Sequence, residues 1–197
     1  MYSKNCMLIL VASICFTFAI ISESHAIRLL TPEEALENSF PGCEFETETK
    51  VLDNATQAIV KSKLGGELVH FNKNSKSAKV NETYEFTFRF AKKNGQKVGV
   101  AIVDVEPGKW GPIEFIISLD MSGKIKRVEV MSYSEKRGRP IATRNFMAQY
   151  ENKKSTDPIK VASDITGVTG ATVSSEAACF AVRKILFIYE TLYKKSV

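Results

Sequence analysis

Histidine and cysteine are scarce in this 197-residue chain, with 2 and 4 copies respectively. Fewer remain once the N-terminal stretch is set aside. Lys4 marks a charged start, an apolar run follows from Met7 to Ile21, and Ser22-Glu23-Ser24-His25-Ala26 puts small residues at the minus-three and minus-one positions of a cut after Ala26. That pattern predicts a secretory signal peptide over residues 1–26. The apolar run is shorter than the ~20 residues that span a bilayer, which disfavours a retained anchor. Ile14 immediately before Cys15 disfavours a lipoprotein cut.

From Ile27 onward only Cys43, Cys179 and His70 remain of these two residue types. There is no Cys-x-x-Cys-His for haem attachment and no Cys/His cluster of zinc or iron–sulfur spacing. Cys43 and Cys179 are candidates for a disulfide in an oxidising compartment, with a buried free thiol at Cys179 as the alternative. His70 follows apolar Leu68-Val69, has no evident serine or cysteine partner, and reads as structural or exposed rather than as a catalytic base. A stripe of basic residues is also missing. The net charge is +5, yet pairs such as Lys92-Lys93 and Lys153-Lys154 are separated by acids, so no nucleic-acid partner is expected.

What is present is a sequence of well-punctuated elements. Thr31-Pro32-Glu33-Glu34 has capping-box spacing with proline at the first helical position, predicting a helix over Pro32 to Asn38 that Pro41-Gly42 ends. Asp53 caps a second helix carrying Ala55, Ile59, Val60 and Leu64, with Gly65-Gly66 as its stop. The polar, lysine-rich segment from Phe71 to Asn81 reads as a loop. Tyr84, Phe86, Phe88 and Phe90 alternate with polar residues, an Asn94-Gly95 turn follows, and strands are expected over Val98–Val105, Ile113–Leu119 and Ile125–Tyr133. Ser134 to Arg139 reads as a loop, Thr143 caps a short helix with Phe146, Met147 and Tyr150, and Ser174 starts a long amphipathic helix. On that helix Ala178, Cys179, Val182, Leu186, Tyr189 and Tyr193 share one face. The fold class is α+β: an antiparallel meander packed against flanking helices, closed by a C-terminal amphipathic helix.

The segment Thr169-Gly170-Ala171-Thr172-Val173-Ser174-Ser175 joins a glycine turn to that last helix. Glycine permits the tight turn, and the first amides of a helix lack intrahelical acceptors, so the segment suits a phosphate or another anion. A plain Ser/Thr cap explains the same residues.

Asp164-Ile165-Thr166-Gly167-Val168-Thr169-Gly170-Ala171-Thr172-Val173-Ser174-Ser175 resembles the flavinylation motif of the FMN-binding domain family, which includes flavin subunits of sodium-pumping NADH:quinone oxidoreductase and of Rnf-type complexes. Further blocks resemble its exported single-domain members: Glu33-Glu34-Ala35-Leu36 with Phe40-Pro41, Gly108 to Ile113, Asp120 to Lys124 with Val128-Glu129-Val130, Arg144-Asn145-Phe146 with Gln149, and Asp157-Pro158. The resemblance implies FMN held through a phosphoester on Thr172, with Thr169, Gly170 and Ala171 forming the turn and Ser174 or Ser175 next to the phosphate. It implies a separate FMN transferase as the modifying enzyme. One position departs: Thr166 stands where members carry Asp, and Asp164 matches a second acidic position.

On this reading residues 27–80 are an N-terminal helical segment and loop, 81–197 the FMN-binding domain, and 27–197 one globular unit. The protein is expected to be a periplasmic or otherwise extracytoplasmic electron carrier, free or membrane-associated, working with a membrane redox complex or an extracytoplasmic acceptor. Trp110, Tyr133 and Glu135 are candidate contacts to the flavin ring. The competing readings are a secreted anion-binding module without redox work and a flavin reductase acting on a small substrate.

Overall fold

A computed structural model describes residues 26–69, 84–134 and 139–194. The leader through residue 25, His70, the expected loop from Phe71 to Asn81, and Glu135 lie outside the described residues. The elements are β1 (Ile27–Arg28), α1 (Pro32–Ser39), β2 (Glu44–Val51), α2 (Asn54–Leu64), β3 (Glu85–Lys93), β4 (Gln96–Pro107), β5 (Pro112–Asp120), β6 (Ile125–Tyr133), α3 (Arg144–Met147) and α4 (Thr172–Tyr193). All six strands form one antiparallel sheet in the order β1-β6-β5-β4-β3-β2. This is the α+β meander with flanking helices that the periodicities predict.

Alternation along the strands decides what each face of the sheet buries. Phe88, Ile102, Ile117 and Val128 fall opposite one another on successive strands and face the main core, where α2, α4 and the segment from Ile141 to Ala171 cover them. The opposite parity, Ala91, Ala101, Ile116 and Met131, meets Ala35, Leu36 and Phe40 of α1. Twelve residues of α4 are buried, among them Val182, Ile185, Leu186 and Ile188. Each large apolar side chain removed from water contributes roughly 1.5–3 kcal/mol. Sheet burial thus fixes the helix that carries the candidate anion turn. Among the described residues no helix is long and apolar enough to cross a membrane.

The structure adds one strand to the expected elements, moves one helix start and decides between the two readings of the cysteines. Residues 44–51 form β2, an edge strand that carries Glu44, Glu46 and Glu48 and pairs with β3 from Glu85 to Lys92; its apolar signal is confined to Phe45 and Val51, so alternation did not reveal it. The helix expected from Ser174 begins at Thr172, because Ala171 occupies the N-cap position without a side-chain cap. Cys43 and Cys179 form no disulfide: Cys43 packs with the α1-side cluster and Cys179 lies in the main core across the sheet.

Candidate functional site

Four helix starts are visible, and α4 differs from the others. Thr31 Oγ1 accepts from the Glu34 amide at 3.2 Å, Asp53 Oδ1 accepts from the Thr56 amide at 2.7 Å, and Thr143 Oγ1 accepts from the Phe146 amide at 3.4 Å. Ala171 offers α4 no such oxygen, and no acidic residue lies in the first turn. The amides of Thr172, Val173 and Ser174 therefore have no acceptor among the described residues. The aligned peptide dipoles of this 22-residue helix place roughly half a positive charge at the same end.

The turn before the helix holds its shape through Ser175. This serine is fully buried; its Oγ accepts from the Val168 amide at 3.2 Å and donates to the Ala171 carbonyl at 3.0 Å. The Ala171 amide closes the turn on the Val168 carbonyl at 3.0 Å. Gly170 sits at φ +80°, a left-handed conformation that glycine adopts without a Cβ penalty, and open space surrounds the position of its missing Cβ. Thr169, Gly170 and Thr172 are exposed, whereas Ala171, Ser174 and Ser175 are buried. Of the sequence-derived set, then, Thr172 alone combines an exposed hydroxyl with a place in the first helical turn. Ser175 uses its hydroxyl to pin the turn.

Upstream, Asp164 organises the loop that leads into the turn. Its carboxylate accepts from Lys153 Nζ at 2.8 Å, the Lys160 amide at 2.8 Å and the Ile159 amide at 3.1 Å. Burial opposes its ionisation, but these donors together outweigh burial and hold the carboxyl below its ordinary value. The loop needs such support, because Ile159 at φ 43° and Ala162 at φ 61° are left-handed without being glycine. At the departing position, the Thr166 backbone is gripped by the Gln149 side-chain amide, N–H to Oε1 at 2.8 Å and Nε2 to the carbonyl at 3.2 Å. Asp164 is thus committed inside its own loop, and the Thr166 side chain is exposed. Sequence reasoning missed the roles of Gln149 and Ser175, since nothing in their spacing distinguishes a clamp from a surface residue or a cap.

A second loop lies at the end of the sheet towards which α4 points its N-terminus. The C-terminal part of α4 sits over the β5–β6 turn, through Tyr189 Oη to the Met121 carbonyl and Lys194 to the Ser122 carbonyl, while Lys184 reaches Asp104 and Glu106 near the other end of β4. Following the helix backwards leads towards the end where β4 gives way to Gly108–Gly111. There the Gly108 amide bonds the Gly111 carbonyl at 2.8 Å, and Gly111 packs so closely on Ser134 that a Cβ would come within 2.5 Å. Trp110 is half-buried with Lys109 Nζ 5.5 Å from its ring centre, and Tyr133, at the end of β6, is buried.

Residues 108–186 match the family of the FMN-binding domain, a span that begins at this loop and runs through the first part of α4. No curated protein matches the chain significantly. The matched span contains both the uncapped helix start and the glycine loop, and the geometry fits the cofactor. Three amide donors without an acceptor among the described residues, an exposed threonine hydroxyl and a first turn free of carboxylates suit a phosphate monoester or diester.

Proposed function

For an FMN-binding domain whose longest helix starts without a cap, we propose that FMN is attached covalently to Thr172 and that the protein works as an exported electron carrier. The single observation that carries this reading is the exposed Thr172 hydroxyl beside three amides with no acceptor among the described residues. Thr172 Oγ1 would form the phosphoester, the amides of Thr172, Val173 and Ser174 would donate to the remaining phosphate oxygens, and Gly170 leaves the approach open. A threonine hydroxyl is a weak nucleophile, and no base is identified beside it. A separate transferase acting on FAD supplies the activation: the Thr172 oxygen bonds to the FMN phosphorus, the diphosphate bond breaks, AMP leaves, and the transferase takes the hydroxyl proton.

FMN supplies the redox chemistry, taking up a hydride or two electrons and releasing electrons singly. The chain's contribution is placement. The phosphodiester keeps one negative charge at the positive end of α4, and the covalent link retains the cofactor outside the cytoplasm, where free flavin is not replenished. The glycine loop would hold the ring near Trp110 and Tyr133. A membrane redox complex or an extracytoplasmic acceptor completes the electron path, with export directed by residues 1–26.

Intact-mass analysis of protein made with the transferase should show an addition of FMN less one water, located on the peptide containing Thr172. An unmodified mass on a colourless protein would overturn the reading. Trp110 is the sole tryptophan, so its fluorescence should be quenched in flavinylated protein relative to Thr172→Ala protein. An N-terminus beginning at Ile27 in the periplasmic fraction would establish export.

A further inference from the structure

The turn of residues 148–153 touches three parts of the fold. On one side the Asn152 amide donates to the carbonyl of Ile125, the first residue of β6, and the Ile125 amide donates to the Lys153 carbonyl, both at 2.8 Å. Asn152 bends the chain there at φ 65°, a conformation asparagine tolerates. On a second side Tyr150 is fully buried against the edge of Phe146, and its hydroxyl lies 3.3 Å from Cys179 Sγ of α4. On the third, Lys153 holds Asp164 and Gln149 holds Thr166, two points on the loop that leads to Thr172. Tied to β6 and α4, the turn is a fixed support for that loop.

Gln149 makes the most specific of these ties. Its Oε1 accepts from the Thr166 amide at 2.8 Å, and its Nε2 donates to the Thr166 carbonyl at 3.2 Å and to the Phe146 carbonyl at 3.3 Å. One planar side-chain amide therefore satisfies both backbone groups of Thr166, as a neighbouring strand would, while its second N–H ties it to α3. A carboxylate in its place has no hydrogen to donate and cannot make this pair of contacts. Further along, the Ser175 hydroxyl takes the Val168 amide and the Ala171 carbonyl. Residues 166–171 are thus held at both ends, and the Thr166 side chain stays exposed.

We propose that Gln149 is a positioning residue for flavin transfer: it fixes Thr166, and with it residues 166–171, so that the free protein already presents Thr172 as the transferase requires. This role rests on covalent attachment at Thr172. The chemistry is unchanged by it, since Thr172 Oγ1 bonds to the FMN phosphorus, the diphosphate bond of FAD breaks and AMP leaves. What Gln149 sets is the fraction of acceptor protein in the competent conformation. A displacement of ~1 Å at reacting atoms costs roughly a hundredfold in rate, so a displaced loop contributes little to transfer. An acceptor that is competent for only part of the time binds its partner more weakly by that fraction.

The kinetics of FMN transfer from FAD to purified apo-protein, read as flavin incorporation by intact mass, test this role. Gln149→Met keeps the length of the side chain and removes all three hydrogen bonds. Gln149→Glu keeps the acceptor for the Thr166 amide and removes both donors. In Gln149→Met the KM for apo-protein should rise about tenfold at unchanged kcat, with Gln149→Glu between it and the wild type. Amide exchange in the apo-proteins reads the same loop without the transferase. Thr166 should be protected in the wild type and lose that protection in Gln149→Met, whereas the amides of Val182 and Ile185 in α4 stay protected, which separates a loosened loop from a loosened fold. A wild-type kcat/KM in whichever variant folds, or a Thr166 amide that exchanges freely in wild-type apo-protein, would overturn the proposal. If the wild type itself takes up no flavin, attachment at Thr172 fails and this role falls with it; a wild type and a Gln149→Met protein labelled equally well remove the role of Gln149 alone.

Discussion

The starts of α1 and α4 solve the same problem in opposite ways. Both expose amides that the helix cannot satisfy. In α1 the protein supplies its own acceptors: Thr31 Oγ1 bonds the Glu34 amide, Glu34 Oε2 takes the Thr31 amide at 2.8 Å, and Glu33 adds further negative charge. In α4 the N-cap is alanine, the first turn carries no acid, and the buried Ser175 hydroxyl is turned back to hold the loop. This 22-residue helix thus has no side-chain cap, and its first amides have no acceptor among the described residues. The comparison teaches that an anion site is recognised by which caps are missing, more than by which polar residues are present.

The largest effect should come from giving α4 the feature that α1 possesses. Thr172→Asp places a carboxylate at the exposed first helical position and removes the proposed attachment oxygen, so flavin incorporation should fall to none by mass analysis. Apo-protein stability should rise by about 0.3–1 kcal/mol in thermal or denaturant unfolding, as the new charge meets the helix dipole. Loss of flavin with unchanged or raised stability separates a ligand site from a structural one. Ser175→Ala should act in the other direction. It deprives the Val168 amide and the Ala171 carbonyl of a buried partner, costing roughly 1–3 kcal/mol, and loosens the turn so that flavin yield drops while Thr172 remains.

Much of this architecture can be read from residue order, for physical reasons that also explain the gaps. Phe86, Phe88 and Phe90 alternate because one face of β3 is buried, and Thr31 and Asp53 mark helix starts because their side chains do the capping. β2 escapes such a reading because an edge strand buries little, and Glu44, Glu46 and Glu48 leave alternation without hydrophobic contrast. The first two residues of α4 are hidden for a related reason: a start without a side-chain cap gives no cap signal. Thr172 is conspicuous only through the resemblance, whereas Asp104 and Glu106 had a legible signal. Both continue the inward parity of Val100 and Ile102, so charged residues at core positions of β4 already call for a buried partner such as Lys184.

Returning to the capped helices, Thr31→Ala should lower stability by about 1 kcal/mol in denaturant unfolding and leave flavin content unchanged. A change in flavin content would show that the helix starts are coupled and would weaken the contrast drawn between them.

The smallest effect separates a protein's own anion from an imported one by pH. The Thr56 amide, bonded to Asp53, holds that carboxyl below its ordinary value. A depressed pKa means that the stabilisation is complete above the unfolded-state value and is lost as pH falls through the folded one. The Thr56 amide resonance should therefore titrate with a midpoint below the ordinary carboxylate range, and Asp53→Asn should abolish that titration while still capping α2. A phosphodiester remains ionised over the same range, so the amides of Thr172, Val173 and Ser174 in flavinylated protein should show no matching step. If they titrate together with Thr56, a carboxylate rather than a phosphate satisfies the start of α4, and the distinction between its start and that of α2 disappears.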